Sequence, residues 1–362
     1  MPGQISPVVH IVGARPNFMK AGPVVRALEA RGVAQLIVHT GQHYDRAMSA
    51  VFFDELGLPE PSLNLEVGSG TQGRQTAALL VALEDALPPL EPSIVVVYGD
   101  VNSTLAAALV AAKGRLRLAH VEAGLRSFDR TMPEEVNRVV TDALADILFV
   151  TSPEAIDNLE HEGVERGRIH FVGNPMIDTL LANLDRFDVS AARATFGLEG
   201  PYAVATLHRP ANVDDPAAAA GLVAMLRGVA ERLPVVLPLH PRGRANLEAA
   251  GLLDITGLQV VEPLGYVEFA SLVRGAAVVV TDSGGIQEET TILGVPCLTV
   301  RPNTERPITV THGTNRLVTA AAVPGAVDDI VAAGPTPARD APPLWDGHAG
   351  ERIAAVLVDL IG

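Results

Sequence analysis

Ser283, Gly284 and Gly285 follow the apolar run Val278-Val279-Val280-Thr281-Asp282 and precede a helical pattern that reaches Glu289. Side chains this small let a ligand approach the backbone. The opening turn of the helix has unpaired N–H groups and the positive end of its dipole. Together these features suit a phosphate, with the Ser283 hydroxyl as a further donor and Glu289 in reach of a sugar hydroxyl. An ordinary strand-to-helix turn capped by Asp282 or Ser283 explains the same residues equally well.

Other residues able to do chemistry also stand just after apolar runs. Gly13-Ala14-Arg15-Pro16 and Lys20 follow the run 7–12. Cations in the first turns of a helix oppose its dipole, so Arg15 and Lys20 fit an anion site better than a bare surface. Asp100 follows 93–98, where capping a helix from Val101 is the simpler explanation. Glu122 follows 116–120, and Glu134 opens a helix after Pro133, a place where acids are common. Each carboxylate alone has a plain explanation. As a set facing one cleft, the three could act as base, acid and stabiliser of a developing cation on a sugar. His208 and Arg209 follow 201–206 and could neutralise a diphosphate, with His240, Arg242 and Arg244 as a weaker echo after 234–239.

These residues need a frame that aligns strand ends. Apolar runs at 7–12, 34–39, 93–98, 116–120, 146–150, 168–172, 201–206, 234–239, 257–262, 276–281 and 296–300 alternate with helical patterns, among them 44–56. That alternation is the mark of βαβ units and parallel sheets, so the expected class is α/β with two doubly wound, Rossmann-like domains. The 362 residues are long for one core. Gly173-Asn174-Pro175 punctuates the chain after a strand, giving expected domains 1–173 and 174–345. Residues 346–362 then hold a last helix expected to pack back on the first domain. Ligands of such folds sit at strand C-termini, here in the cleft between the domains.

Composition removes several classes. A net charge of −15 argues against nucleic acid or an anionic membrane as the main partner. The single cysteine, Cys297, excludes an internal disulfide or a multi-cysteine metal site, and its apolar setting predicts an inert thiol. The histidines lack paired helical spacing, so no metal is expected. No nucleophile-elbow pattern supports a serine hydrolase. With no signal-peptide pattern and no apolar run long enough to span a bilayer, a soluble cytoplasmic protein is expected.

Several strings match one family in order over roughly residues 8 to 320. They are Gly13-Ala14-Arg15-Pro16 with Lys20, Gly41-Gln42-His43, Gly99-Asp100, His120-Val121-Glu122-Ala123-Gly124-Leu125-Arg126, Pro133-Glu134-Glu135-Val136-Asn137-Arg138, His208-Arg209 and Asp282-Ser283-Gly284-Gly285-Ile286-Gln287-Glu288-Glu289. The chain thus resembles the non-hydrolysing UDP-N-acetylglucosamine 2-epimerases. The resemblance implies a GT-B fold and interconversion of UDP-GlcNAc and UDP-ManNAc through 2-acetamidoglucal, without a nicotinamide or other cofactor. It also implies a homodimer serving cell-envelope polysaccharide synthesis. It makes Asp100, Glu122, Glu134 and His208 catalytic. Arg15, Lys20, His208, Arg209, Ser283, Gly284, Gly285 and Glu289 become UDP contacts, and Gln42 and His43 regulatory positions.

The chain departs from the family at two places. Asn17 stands where many members have Glu, and Pro210-Ala211 replaces the second half of an HRRE-type string tied to allosteric UDP-GlcNAc in bacterial members. Relatives also act on UDP-GlcNAc derivatives oxidised at C6 or aminated at C3. Rival readings are a GT-B glycosyltransferase, which needs an acceptor and leaves the C2 hydrogen in place, and a hydrolysing epimerase, which releases free ManNAc. A nucleotide-sugar sensor is the rival outside enzymes, and it has no use for three acids beside a diphosphate.

Overall fold

The computed structural model describes residues 6–41, 57–334 and 340–361. The expected helix 44–56, with Gln42 and His43 just before it, lies outside the described residues. The chain forms two compact units, Met1–Ala182 with Pro343–Gly362, and Asn183–Pro342.

The first unit carries strands β1 (Val8–Val12), β2 (Gln35–His39), β3 (Leu63–Asn64), β4 (Ile94–Tyr98), β5 (Leu118–Ala123), β6 (Ile147–Val150) and β7 (Ile169–Phe171). They form one parallel sheet in the order β3-β2-β1-β4-β5-β6-β7. Ile94-Val95-Val96-Val97-Tyr98 is wholly buried, as a central strand covered by helices on both faces requires. The first unit extends past Gly173-Asn174-Pro175 to include the helix Pro175–Ala182. Thr179 Oγ1 there donates to the Met19 carbonyl at 2.6 Å, tying this helix to Arg15–Glu29. Asp178 accepts the backbone N–H groups of Ala349 and Gly350 at 3.1 and 2.7 Å, anchoring the last helix, Ala349–Ile361, in the same unit.

The second unit carries β8 (Ala203–Thr206), β9 (Val235–Pro238), β10 (Leu258–Val261), β11 (Val278–Thr281), β12 (Cys297–Val300) and β13 (Asn315–Val318). Its parallel order is β10-β9-β8-β11-β12-β13. The period-2 alternation of strands shows in β11: Val278 and Val280 face one core with Leu222 and Leu226, Val279 the other with Tyr202 and Leu272. Buried Cys297 lies in β12 with its thiol pushed up to about 11 by desolvation, an inert group.

Both sheets run outward in two directions from a central pair, β1 and β4 in one, β8 and β11 in the other. The crevice beyond such a pair is where open α/β sheets bind ligands. Among the described residues no helix is long and apolar enough to cross a membrane, and no cluster of three or more His, Cys, Asp or Glu side chains could hold a metal ion.

Candidate active site

In the first unit, β1 is followed by the helix Arg15–Glu29, with Arg15 at its first position and Lys20 one turn further. Lys20 Nζ lies 2.8 Å from Glu122 Oε1, and both side chains are buried, at 4% and 1% exposure. Gly99 makes room for this pair, since a Cβ there would stand 2.8 Å from Lys20 Nζ. Its φ of +63° also falls where glycine is strongly favoured. Asn17 clamps the turn before Lys20. Its Oδ1 accepts from the N–H groups of Gly13 and Ala14 at 3.0 Å each, and its Nδ2 donates to the Tyr98 carbonyl at 2.7 Å.

Glu122 does not follow the strand, as expected, but sits inside it. β5 continues to Ala123, and its register against β6 shifts between Val121 and Ala123. Glu122 has φ +72°, a left-handed backbone on a non-glycine residue. Such a conformation costs on the order of 1–3 kcal/mol and persists only where surroundings impose it. A bulge of this kind re-aims a side chain, here toward Lys20.

The helix Pro133–Leu144 reverses the usual amphipathic pattern. It buries Glu135, Asn137, Arg138, Thr141 and Asp142 and leaves Val136 exposed. Arg138 pairs with Asp100 and, at 2.6 Å, with Glu135. Asn137 Nδ2 donates to the Asp100 carbonyl at 2.9 Å. Glu135 in turn accepts the N–H groups of Ser127 and Phe128, both at 2.9 Å, fixing the loop between Glu122 and this helix. Asp100 is therefore not a helix cap: Val101 occupies that position, and Asp100 is held by Arg138. Glu134 sits half-buried in the first turn, beside Glu135.

In the second unit the turn after β8 folds around the fully buried Asp282. The Asp282 carboxylate accepts the N–H of His208 at 3.1 Å, the N–H of Arg209 at 2.9 Å and Asn212 Nδ2 at 3.0 Å. His208 Nδ1 lies 3.2 Å from the same carboxylate, and its side chain is 40% exposed. In the neutral ring this contact keeps the proton on Nδ1. Asp282 thus anchors the His208-Arg209 turn across the central strand pair and does not cap the next helix. Ser283 holds the cap position of the helix Gly284–Leu293 without a side-chain cap bond. Glu289 is buried on this helix. Beneath Gly284 lies a charged network: Arg306 pairs with Glu305 and with Glu288, and Arg301 with Glu305. A Cβ on Gly284 would meet Arg306 Nη1 at 2.5 Å and Glu305 Oε1 at 2.8 Å.

Two Rossmann-like sheets, each with charged and small residues gathered at its central strand ends, match a known family along nearly the whole chain. The pattern of the UDP-N-acetylglucosamine 2-epimerase family fits residues 26–358. The chain belongs to this family. A UDP-N-acetylglucosamine 2-epimerase of Methanocaldococcus jannaschii is 44% identical over 318 residues, 85% of this chain and 87% of that one. A UDP-2,3-diacetamido-2,3-dideoxy-D-glucuronate 2-epimerase of Pseudomonas aeruginosa is 43% identical over 360 residues, 98% and 99% of the two chains. The crystal structure of the M. jannaschii UDP-GlcNAc 2-epimerase in complex with UDP-GlcNAc and UDP superposes with a TM-score of 0.87 at 41% identity, covering 97% and 99%. The fold is accordingly the GT-B type, and the protein is an epimerase, an isomerase of nucleotide sugars.

Within the epimerase's first unit the structure brings Lys20 and Glu122 into contact and ties Asp100 to the helix that bears Glu134. Within the second it joins His208 and Arg209 to the turn before Ser283, Gly284 and Gly285. His240 lies beside His208, its ring tilted by 44° with ring centres 5.9 Å apart, while Arg242 and Arg244 are engaged by Asp214 and Glu262. Sequence reasoning missed Arg138, Asp142, Arg301, Glu305 and Arg306. Two signals pointed to them. The string from Arg301 to Arg306 follows a strand, the same rule that picked out Asp100 and His208. Glu135, Arg138 and Asp142 recur at i, i+3 and i+7, a charged stripe on one helix face.

Proposed function

We propose that this epimerase interconverts UDP-GlcNAc and UDP-ManNAc by eliminating and re-adding UDP. The C2 hydrogen is not acidic until charge develops at C1. As the C1–O bond breaks, the diphosphate leaves with the bonding pair, a base takes the C2 proton, and C1=C2 forms to give 2-acetamidoglucal. Return of the UDP oxygen to C1 with proton delivery to the opposite face of C2 completes the inversion. Asp100, Glu122 and Glu134 supply the base, acid and cation-stabilising carboxylates for the sugar. Lys20, Arg15, His208, Arg209 and the N-terminal turn Ser283-Gly284-Gly285 supply positive potential for the diphosphate. His208, with Nδ1 turned to Asp282, offers Nε2 for proton transfer. Glu289 serves the nucleotide sugar on the same helix.

The observation that carries this reading is the strained Glu122, buried against Lys20 within β5. A fold that only binds nucleotide has no reason to sustain that backbone. Proton NMR of UDP-GlcNAc with the protein in D₂O tests it: UDP-ManNAc carrying deuterium at C2 is the expected product. Epimer that keeps its original hydrogen rules the elimination route out, and free ManNAc as the main product would move the assignment to a hydrolysing epimerase. The full-length likeness to the P. aeruginosa enzyme supports a second substrate, a UDP-sugar oxidised at C6 and bearing a second acetamido group at C3. A higher kcat/KM on that compound than on UDP-GlcNAc would move the assignment to it.

A further inference from the structure

His120 is fully buried in β5, two residues before Glu122, and both its ring nitrogens face acceptors. Nδ1 lies 2.6 Å from Asp142 Oδ1, and Nε2 lies 2.8 Å from the carbonyl oxygen of Gly99. A backbone carbonyl has no proton to give, so Nε2 must donate. Asp142 already accepts on Oδ2 from Gly124 N–H at 3.0 Å and from Arg126 Nη1 at 2.7 Å. Although burial alone would raise it, the charges and hydrogen bonds of His120 and Arg126 bring the Asp142 carboxyl below its usual range. The Arg126 guanidinium and the Gly124 N–H, both on Oδ2, hold Asp142 as a carboxylate, so Nδ1 must donate too. Only the imidazolium donates from both nitrogens. A neutral ring would set a lone pair against an oxygen in a buried site, a cost of roughly 1–3 kcal/mol. Charges in the cluster balance, because Arg126 also pairs with Glu162 at 2.7 Å.

The geometry places this cluster around the strained bulge. One Asp142 oxygen holds residue 120 and the other holds residue 124, so a single carboxylate spans Glu122 from both sides. The other His120 nitrogen holds Gly99, the residue before Asp100. Asp142 itself projects from the helix that opens with Glu134. We propose that His120 is an imidazolium which, with Asp142, acts as a positioning pair that sets the spacing of Asp100, Glu122 and Glu134. His10, buried in the same sheet, is the natural contrast. Its partners are the Tyr98 hydroxyl and the Gln35 amide, which a neutral ring satisfies, and desolvation pushes it down to about 4.

This inference rests on the epimerase reading for its catalytic consequence but not for its charge state. Long-range ¹H–¹⁵N NMR of the full-length protein labelled at histidine, at pH 7.5, should show both His120 nitrogens protonated, and His10 in a single neutral tautomer. The His120 signals are assigned by their loss in His120→Gln. A neutral pattern for His120 would overturn the charge assignment even in an active enzyme. In Asp142→Asn an amide must turn donors toward Gly124 N–H and Arg126, or toward the His120 ring. The rate of C2 deuterium exchange from UDP-GlcNAc should fall about 10- to 100-fold, because small misplacements of reacting groups are that costly, while UDP affinity stays within about twofold. An unchanged rate, or a parallel loss of UDP affinity, would remove the positioning role. A wild-type protein without any C2 exchange from UDP-GlcNAc would instead sink the proposed UDP-GlcNAc reaction and leave the NMR result to decide the charge.

Discussion

The two central strand pairs share one topology and solve it with opposite materials. In the first unit the ends of β1, β4 and β5 carry charges already matched to each other: Lys20 to Glu122 and Arg138 to Asp100. Its cost is conformational, a glutamate held at φ +72°. In the second unit the ends of β8 and β11 carry small residues and a half-exposed histidine, and the buried Asp282 serves to fold the turn. Its charges lie one layer back, in Arg301, Glu305 and Arg306. The first arrangement suits groups that act on a reacting bond, where geometry must be fixed. The second suits an anion that is gripped by backbone, where space must be kept. Removing a charge should therefore damage turnover in the first unit, and adding a side chain should damage binding in the second.

The sharpest break in this comparison is Glu122→Gln. Loss of a carboxylate that acts as base or cation stabiliser typically costs ~10²–10⁴-fold in rate. UDP affinity should stay near that of the unaltered protein, a split that stopped-flow turnover and calorimetry read together. Because Lys20 loses its buried partner, thermal stability should also drop; an uncompensated buried charge costs about 3–5 kcal/mol. Unimpaired C2 exchange in this variant would return Glu122 to a structural role. Gly284→Val is the matching test in the second unit. The added Cβ would lie 2.5 Å from Arg306 Nη1, and overpacking of this kind costs about 1–3 kcal/mol. UDP affinity should weaken about tenfold or more. Isothermal titration giving unaltered UDP affinity would place the diphosphate elsewhere.

Asn17→Glu sharpens the comparison more gently, since it keeps the acceptor of this side chain and removes its donor. A carboxylate still accepts from Gly13 and Ala14 but no longer donates to the Tyr98 carbonyl. That carbonyl keeps a bond from Thr104 Oγ1 at 2.9 Å. The loss should be about 0.5–1.5 kcal/mol of stability, seen as a small fall in Tm with turnover changed only a few-fold. A large gain in turnover would show that the amide here limits the reaction.

Much of the frame was legible because apolar runs such as Ile94-Val95-Val96-Val97-Tyr98 leave no other place for their side chains than a doubly covered sheet. β3 is two residues long, and Arg316 and Leu317 of β13 are exposed, so neither strand carries an apolar signature. The strand-end rule placed Asp100, His208 and Ser283 just after apolar runs, and the structure has them just after β4, β8 and β11. It misplaced Glu122, because nothing in a glutamate announces a left-handed backbone. The Asp100 carboxylate looked like a cap because its partner, Arg138, comes from a helix distant in sequence. The helix Pro133–Leu144 hid its role for a related reason: its buried face is charged, and periodicity is ordinarily read from apolar residues.

A further effect separates the two units by acid rather than by mutation, and it leaves activity at neutral pH alone. His10 sits at the heart of the first sheet with its ionisation pushed down to about 4 by burial. An unfolded histidine takes up its proton near pH 6.5. Between these values the unfolded chain binds a proton that the native ring refuses, so the stabilising contribution is complete above pH 6.5 and disappears as pH falls through about 4. The shift corresponds to roughly 3 kcal/mol at most. Asp142, lowered by its His120 and Arg126 contacts despite burial, adds a loss at still lower pH, once its folded-state value is crossed. Hydrogen exchange at pH 7 and pH 5 should therefore show amide protection falling in β1 and β4, by less than His10 alone would give, because an imidazolium His120 favours the native state as pH falls. In His10→Asn the slope of stability against pH over that window should flatten whatever the variant's absolute stability. An unaltered slope would mean that His10 is protonated in the native sheet, and the contrast with His120 would be lost.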